Sequence, residues 1–258
     1  MSAGGLTLNR IATPPASLHA VRLGIACPMA NEAATAVAFV DAVLAECRGY
    51  GFAAVTLFVV LDGVSTDGTR DLLDAHARTQ PALRVVWAPE ARGVADAYVA
   101  GYRAALDDGS DWILEIDAGF SHDPADIGKL VTAMATGLDC VFGSRFMPDG
   151  RNLGSLRRRV ISRGGTALTN LLLGTRLSDM TSGFELFSRR ALEAALEKGI
   201  ASRGPFFQTE LKTHCRNLRF AEVPIRYHAG SHAVGRRAVW ESLRTLGHLF
   251  RRRLAGAL

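Results

Sequence analysis

The chain has 258 residues, 48% of them hydrophobic and 21% charged, which is enough for one large α/β domain with a well-buried core. A formal charge of +5 favours anionic partners such as nucleotide phosphates, lipid phosphates or an acidic membrane surface, whereas 7% aromatics that never interleave with the basic clusters argue against nucleic acid. Four scattered cysteines without a C-x-x-C pair suggest neither a structural zinc nor a disulfide framework, and no run reaches the ~18 apolar residues of a membrane span, so the expected setting is a reducing cytoplasm with at most peripheral membrane contact.

Residues 1–20 mix Gly, Pro, Ala and Ser without a continuous apolar stretch and are expected to form a disordered leader. Short apolar runs then alternate with helical patterns. Strands are predicted at Val21–Cys27, Ala54–Leu61, Leu83–Ala88 and Trp112–Asp117, with helices at Asn31–Cys47, Asp67–Arg78, Arg92–Asp107 and Asp123–Ala135. Such βα repetition predicts an α/β fold with a mostly parallel central sheet and helices on both faces. Strand Leu138–Gly143 continues the rhythm. A Gly- and Arg-rich loop, a helix near Ser155–Leu173, a strand at Phe184–Ser188, a helix near Phe206–Cys215 and a strand at Phe220–Tyr227 follow. The domain is expected over 21–228, and 229–258 is expected to form a basic amphipathic helix. Its apolar stripe is Val239, Leu243, Leu246, Phe250 and Leu254, and it suits an anionic leaflet, a partner or the protein's own sheet.

Several segments carry chemistry. The first turn, Cys27–Glu32, reads C-P-M-A-N-E, so it lacks the G-x-G-x-x-G cradle of a dinucleotide site; read plainly it is a Pro-started turn with Asn31 as helix N-cap. Asp62 ends the second strand, where a carboxylate accepts hydrogen bonds from a nucleobase or ribose. A methyltransferase also places an acid there, but the missing Gly-rich turn argues against one. Asp67 suits either the nucleotide or a helix N-cap. In W-I-L-E-I-D-A-G-F-S-H-D-P, Trp112–Pro124, an apolar run delivers Asp117 to the crevice where open α/β sheets bind ligands, suiting a metal or a sugar hydroxyl. His122 either joins it at a metal or merely precedes a helix capped by Asp123 with Pro124 at its first position. Arg158 and Ser162, four residues apart, share one helix face above Thr166, which suits a phosphate or a solvated basic face.

Together and in order, from about Val21 to Tyr227, these segments resemble the family 2 glycosyltransferases, specifically the dolichol-phosphate mannose synthases and related polyprenyl-phosphate sugar transferases. Further matches are G-V-A-D-A-Y at Gly93, G-S-R-F at Gly143, D-M-T-S-G-F at Asp179 and F-F-Q-T-E at Phe206. The likeness implies a GT-A, Rossmann-like fold and inverting transfer of a mannose- or glucose-type hexose from a nucleoside diphosphate sugar to a polyprenyl or dolichyl phosphate. It implies a donor site made of Pro28, Asn31, Glu32, Asp62, Gly93, Asp117, Ala118, Thr181, Ser182, Gln208 and Glu210, with Asp179 also able to reach the sugar. It further implies an acceptor phosphate held by Arg145, Arg158 and Ser162, which with Asp117 form the catalytic set. A divalent cation, Mg²⁺ or Mn²⁺, is implied at Asp117. Gly119 replaces the second aspartate of the family's D-x-D, so the cation is expected to bind weakly alone and well with the donor's diphosphate. Leu61 replaces an acidic residue, Val64 is inserted, and the segment 229–237 alters the family's diphosphate clamp, leaving His232 or Arg236 to substitute. Two other readings stand beside this one: transfer to a soluble alcohol with Asp179 or Glu210 as base, and a catalytically weakened nucleotide-sugar-binding protein.

Overall fold

The computed structural model describes residues 6–7, 18–228, 235–256 and 258. Most of the expected leader therefore lies outside the described residues, although Leu6–Thr7 (β1) forms a short edge strand. The chain continues as β2 (Arg22–Met29), α1 (Ala36–Arg48), β3 (Ala54–Leu61), α2 (Thr69–Ala77), β4 (Leu83–Trp87), α3 (Val94–Asp107) and β5 (Trp112–Glu115). A 3-10 turn (Pro124–Asp126) leads into α4 (Ile127–Met134) and β6 (Cys140–Ser144). The remainder comprises β7 (Arg151–Asn152), α5 (Leu156–Leu173), β8 (Glu185–Ser188), α6 (Arg189–Glu197), α7 (Phe206–His214), β9 (Phe220–Pro224), β10 (Arg226–Tyr227) and α8 (Arg236–Leu254).

The main sheet has the order β1-β9-β6-β8-β5-β2-β3-β4. Every pair in it is parallel except those of β8, which runs antiparallel to β5 and β6. Both faces are covered, so the strands read as continuous apolar runs, and alternate residues feed different cores. Leu23, Ile25 and Cys27 join Phe39, Val40 and Leu130 beneath α1 and α4. Ala26 and Phe58 join Tyr98, Tyr102 and Phe207 beneath α3 and α7. At Gly101 the helix lies hard on the sheet, where a Cβ would stand 3.0 Å from the Ala26 Cβ and 3.1 Å from Val60. The small residues late in α3 thus serve packing.

Several elements differ from expectation. Helix α1 starts at Ala36 with Thr35 before it, because Asn31 adopts φ +57 and cannot cap. Strand β5 stops at Glu115, which leaves Asp117 on the loop beyond it. The run Phe220–Tyr227 divides at Ile225, where β9 leaves β6 and β10 pairs with β7 in a two-stranded ribbon. Helix α6, capped by the Ser188 hydroxyl accepting from the Ala191 amide at 3.4 Å, was not expected at all. The start of the 3-10 turn matches its sequence, with Asp123 accepting from Ala125 N at 3.0 Å and Pro124 at the first position.

Helix α8 packs against its own chain. Leu246 and Leu249 are buried against Leu173 of α5, and Arg253 donates to Leu172 O at 2.7 Å. The predicted stripe is thereby split: Leu246 and Phe250 face this small core, whereas Leu254 is 72% exposed.

Candidate active site

The loops after β2 and β3 are stitched together. The Asn31 side chain donates to Val64 O (3.2 Å) and accepts from Thr66 N (3.0 Å). Glu32 N donates to Thr69 Oγ1 (2.9 Å), and Ala33 N donates to an Asp67 carboxylate oxygen (2.9 Å). Hydrogen bonds from the Thr69 hydroxyl and the Ala33 amide hold Asp67 below the usual carboxylate range; Gly68, not Asp67, is the N-cap residue of α2, and Asp67 instead ties the two loops together. Asp62, half-buried just after β3, accepts from Val64 N at 3.1 Å through one carboxylate oxygen. Pro28 lies inside β2 opposite Val60 and does not start a turn. Gly93 does permit a close backbone approach, but the approaching group is the Arg203 carbonyl of the same chain, 2.9 Å from where a Cβ would stand.

Asp117 is 38% exposed on the next loop, beside half-buried Ala118. Its Oδ1 accepts from the buried Tyr98 hydroxyl at 2.6 Å, and its Oδ2 lies 3.7 Å from His122 Nδ1. His122 is 1% exposed, stacked on Phe184 and edge-on to Tyr227. Burial pushes its pKa down to about 4, against the pull of Asp117, so the ring is neutral at neutral pH. Both of its nitrogens lack a hydrogen-bond partner among the described residues. No group of three or more His, Cys, Asp or Glu side chains able to hold a metal occurs among the described residues. Any cation there must draw most of its oxygens from its ligand, which a partly exposed carboxylate such as Asp117 fits.

Arg145 and Asp179 form a buried two-pronged ion pair, Nε–Oδ2 2.7 Å and Nη2–Oδ1 2.8 Å. Arg145 Nη2 also donates to Thr181 Oγ1 at 2.6 Å. Burial raises the Asp179 pKa, but the Arg145 charge and hydrogen bonds outweigh it and hold the group below its ordinary value. The guanidinium carbons of Arg145 and Arg158 each stand 5.2 Å from the Tyr227 ring centroid, so one aromatic side chain bears both cations. Tyr227, placed by β10, was missed from sequence.

Beneath the cleft lies a buried polar cluster; a buried network was the sequence's alternative for Asp179, Gln208 and Glu210, whereas Glu115, Glu185, Tyr102 and Lys212 were missed. Gln208 Nε2 donates to Glu115 Oε1 at 2.8 Å, the Tyr102 hydroxyl donates to Glu115 Oε2, and Glu115 stands opposite Glu185 in the β5–β8 register. Lys212 Nζ reaches Glu185 Oε1 at 2.8 Å and the Ser182 carbonyl at 2.6 Å. Burial drives both glutamate pKa values up, that of Glu185 to about 7 despite Lys212. Gly183 makes room for the Gln208 amide, since a Cβ there would overlap it. The signal was present in sequence as an acid, Glu115, inside the otherwise apolar W-I-L-E-I.

These groups surround a cavity of about 420 Å³. Asp117, His122, Arg145, Arg158, Ser162, Thr181 and Gln208 are among the polar residues that line it. Apolar lining comes from Ile161 and Leu168 of α5, and from Val239, Leu243 and Leu246 of α8. Glu210 does not belong here. Both its oxygens accept backbone amides, from Ala201 at 3.0 Å and Ser202 at 2.9 Å, because the turn before α7 leaves those amides without carbonyl partners. Ser182 is buried outside the lining, its hydroxyl without a partner among the described residues, and Asn31, Glu32 and Asp62, on the loops after β2 and β3, are not part of the lining either. Asp179 and Glu210 being engaged in this way, neither is available as the base that an alcohol acceptor would require. His232 and the side chain of Arg236 lie outside the described residues.

Comparison with known proteins agrees with this arrangement. The chain matches the Glycosyl transferase family 2 model over residues 25–196. It is 34% identical over 172 residues to an undecaprenyl-phosphate mannosyltransferase of Micrococcus luteus, spanning 66% of this chain and 70% of that protein. It is 35% identical over 178 residues to a polyprenol monophosphomannose synthase of Mycolicibacterium smegmatis, spanning 67% of this chain and 66% of that protein. In fold it resembles mannosyl-3-phosphoglycerate synthase of Rubrobacter xylanophilus (TM-score 0.63, 19% identity, 93% of this chain and 77% of that one). It also resembles glucosyl-3-phosphoglycerate synthase of Mycobacterium tuberculosis in complex with UDP (TM-score 0.60, 20% identity, 97% and 87%). At those identities the likeness speaks for the fold, which is GT-A as expected. A cleft at the carboxyl ends of a parallel sheet, the ordered motifs around it and the matched family model converge on one assignment: the chain belongs to glycosyl transferase family 2 and is a glycosyltransferase.

Proposed function

We propose that the protein transfers a mannose- or glucose-type hexose from a nucleoside diphosphate sugar to a polyprenyl phosphate, with inversion, at the cytoplasmic face of a membrane. The observation that carries this reading is the mixed lining of the cavity: two guanidinium groups over Tyr227 and Ser162 share it with aliphatic side chains from α5 and α8. A phosphate joined to a long hydrocarbon matches both kinds of lining. The mannosyltransferase relatives act on lipids of this kind by name.

In this reading a phosphate oxygen of the acceptor attacks the anomeric carbon as the bond to the donor's diphosphate breaks. A phosphate monoester with a second pKa of ~6 is already anionic at neutral pH, so no general base is needed, consistent with the engagement of Asp179 and Glu210. Arg158 and Ser162 hold the acceptor, while Arg145, braced by Asp179, orients Thr181 and adds positive charge. Asp62 binds base or ribose, and Asn31 fixes the loop that carries Glu32. Gln208, its amide nitrogen held by Glu115, presents its carbonyl to a sugar hydroxyl. A divalent cation bound at Asp117 would neutralise the leaving diphosphate.

Among the described residues no helix is long and apolar enough to cross a membrane. Exposed Leu156, Val160 and Leu171 on α5, and Trp240 and Leu254 on α8, stand among arginines and supply a surface for peripheral contact with an anionic leaflet. The test is a panel of labelled GDP- and UDP-sugars offered with polyprenyl phosphate. Label partitioning into organic solvent is the expected result; label remaining in water with a soluble acceptor, or donor binding without turnover, overturns it.

A further inference from the structure

Position 119, where the family's second aspartate is replaced by glycine, is not simply vacant of a carboxylate. Gly119 has φ +71, a backbone conformation that disfavours an L side chain. A Cβ added there would stand 3.0 Å from one Glu32 carboxylate oxygen and 3.1 Å from the other. The Glu32 carboxylate, delivered from the loop after β2, therefore occupies the space into which a side chain at 119 would project.

Glu32 is held in that place from three directions. Its amide donates to Thr69 Oγ1 (2.9 Å), its carbonyl accepts from Ala36 N (2.8 Å), and Oε2 accepts from the Thr35 hydroxyl (2.7 Å). Asp117 lies two residues before Gly119 on the loop beyond β5, whose strand pairs in parallel with β2, and the fields of both carboxylates act on the buried thiol of Cys27. Asp117 is itself fixed by Tyr98 at 2.6 Å. A second, independent feature points to a ligand: His122, buried and without a hydrogen-bond partner on either nitrogen among the described residues, has Nδ1 3.7 Å from Asp117 Oδ2.

We propose that Glu32 supplies the second carboxylate to the divalent cation that accompanies the donor's diphosphate, taking over the role left open at Gly119, with Asp117 as the first. Two carboxylates with diphosphate oxygens and waters meet the requirement of Mg²⁺ or Mn²⁺, which takes few protein ligands and is selective for oxygen. The inference rests on the donor reading above and extends it. It assigns the Glu32 carboxylate to the cation, where the sequence resemblance had implied a contact with the nucleoside. An aspartate restored at 119 would have to adopt a left-handed backbone and displace Glu32, so the glycine and the glutamate form one arrangement.

The experiment is Mn²⁺ titration of the full chain, followed by the Mn²⁺ electron paramagnetic resonance signal and by calorimetry, alone and with UDP or GDP. Parallel titrations use uridine and guanosine, which lack phosphate. Glu32→Gln is expected to weaken Mn²⁺ binding in the presence of nucleoside diphosphate by at least about tenfold, the loss typical even of a group behind a metal ligand, with nucleoside affinity retained. Gly119→Asp is expected not to strengthen it. Should Glu32→Gln fail to fold, Glu32→Asp, which withdraws the carboxylate by one methylene, is expected to show a smaller loss in the same direction. Unchanged Mn²⁺ affinity in the Glu32 variant, an equal loss of nucleoside affinity, or tighter Mn²⁺ binding in Gly119→Asp overturns the proposal. Wild-type protein that binds UDP or GDP equally well without Mn²⁺ also overturns it and leaves the donor reading standing. Wild-type protein that binds neither nucleotide overturns the donor reading and this inference with it.

Discussion

Lys212→Met isolates the buried cluster beneath the cleft. Lys212 is fully buried and bonded to Glu185 Oε1 at 2.8 Å and to the Ser182 carbonyl at 2.6 Å. Methionine fills much the same volume, so the loss is electrostatic: a buried carboxylate without its cation and a buried carbonyl without its donor. Breaking a buried pair by removing one partner costs about 3–5 kcal/mol. For a domain of this size roughly 2–4 °C of melting temperature goes with each kcal/mol, which places the expected drop at roughly 6–20 °C. The pH dependence has a definite sign. The Glu185 pKa is raised from 4.5 to about 7 in the folded state, so the folded protein holds that proton more tightly than the unfolded chain. Its contribution to stability is whole below 4.5 and is lost as pH climbs toward 7. Without Lys212 the same carboxyl rises further, so the deficit of the variant should be small at acidic pH and widest at mildly alkaline pH. Adding Glu185→Gln should recover a large part of it, since no charge then remains to be paired. Thermal melts of the wild type, both single variants and the double variant at acidic and alkaline pH measure all of this. A drop under about 2 °C at alkaline pH, or a deficit that ignores pH, would refute the reasoning.

The two arginines should separate cleanly. Arg158→Ala should leave the melting temperature near wild type and raise the acceptor concentration needed for half-saturation by roughly ten- to hundredfold; Arg145→Ala, which strands buried Asp179, should cost about 3–5 kcal/mol as well, read by thermal melts. Asp62→Ala should weaken nucleotide binding by about 1.5–3 kcal/mol in a folded protein, checked by calorimetry, and unchanged affinity removes Asp62 from the donor site. Ser155 caps α5 by accepting from Arg158 N at 3.3 Å, so Ser155→Ala should lower stability by about 1 kcal/mol in chemical denaturation; a change within error would mean that α5 does not depend on that cap.

What sequence revealed followed from periodicity and from strand ends. Strands buried on both faces appear as unbroken apolar runs, so β2, β3 and β5 were legible within two residues, and Asp117 was found because the run in which it lies ends on it. Asn31 was misplaced for a local reason: asparagine serves both as helix cap and as a left-handed turn residue, and only the loop across from it, Val64 to Thr66, decides between them. Helix α6 went unseen although its nine residues carry a helical pattern, with Ala191, Leu192 and Ala195 buried on one face and Ser188 marking its start. Glu210 resembled a sugar ligand, yet the amides of Ala201 and Ser202, brought close only by folding, take both its oxygens. The antiparallel direction of β8 was likewise invisible, since a four-residue strand says nothing of which way it runs. Gly119 was legible as a missing acid; that Glu32 stands in its place was not, because the two come from different strands.

The cysteines provide a reporter that the chain carries already. Cys27 and Cys47 lie in the core on one side of the sheet, and Cys140 and Cys215 in the core on the other. All four are buried, and burial pushes the Cys47 thiol up to about 12 and Cys27 and Cys140 well above their ordinary value, which keeps these thiols protonated and unreactive while the protein is closed. Alkylation can then proceed only as fast as each layer opens. Mass-resolved labelling of the untouched protein would therefore time the breathing of the two halves separately, and saturating donor should slow labelling of Cys27, the thiol nearest Asp117 and Glu32, more than that of Cys215.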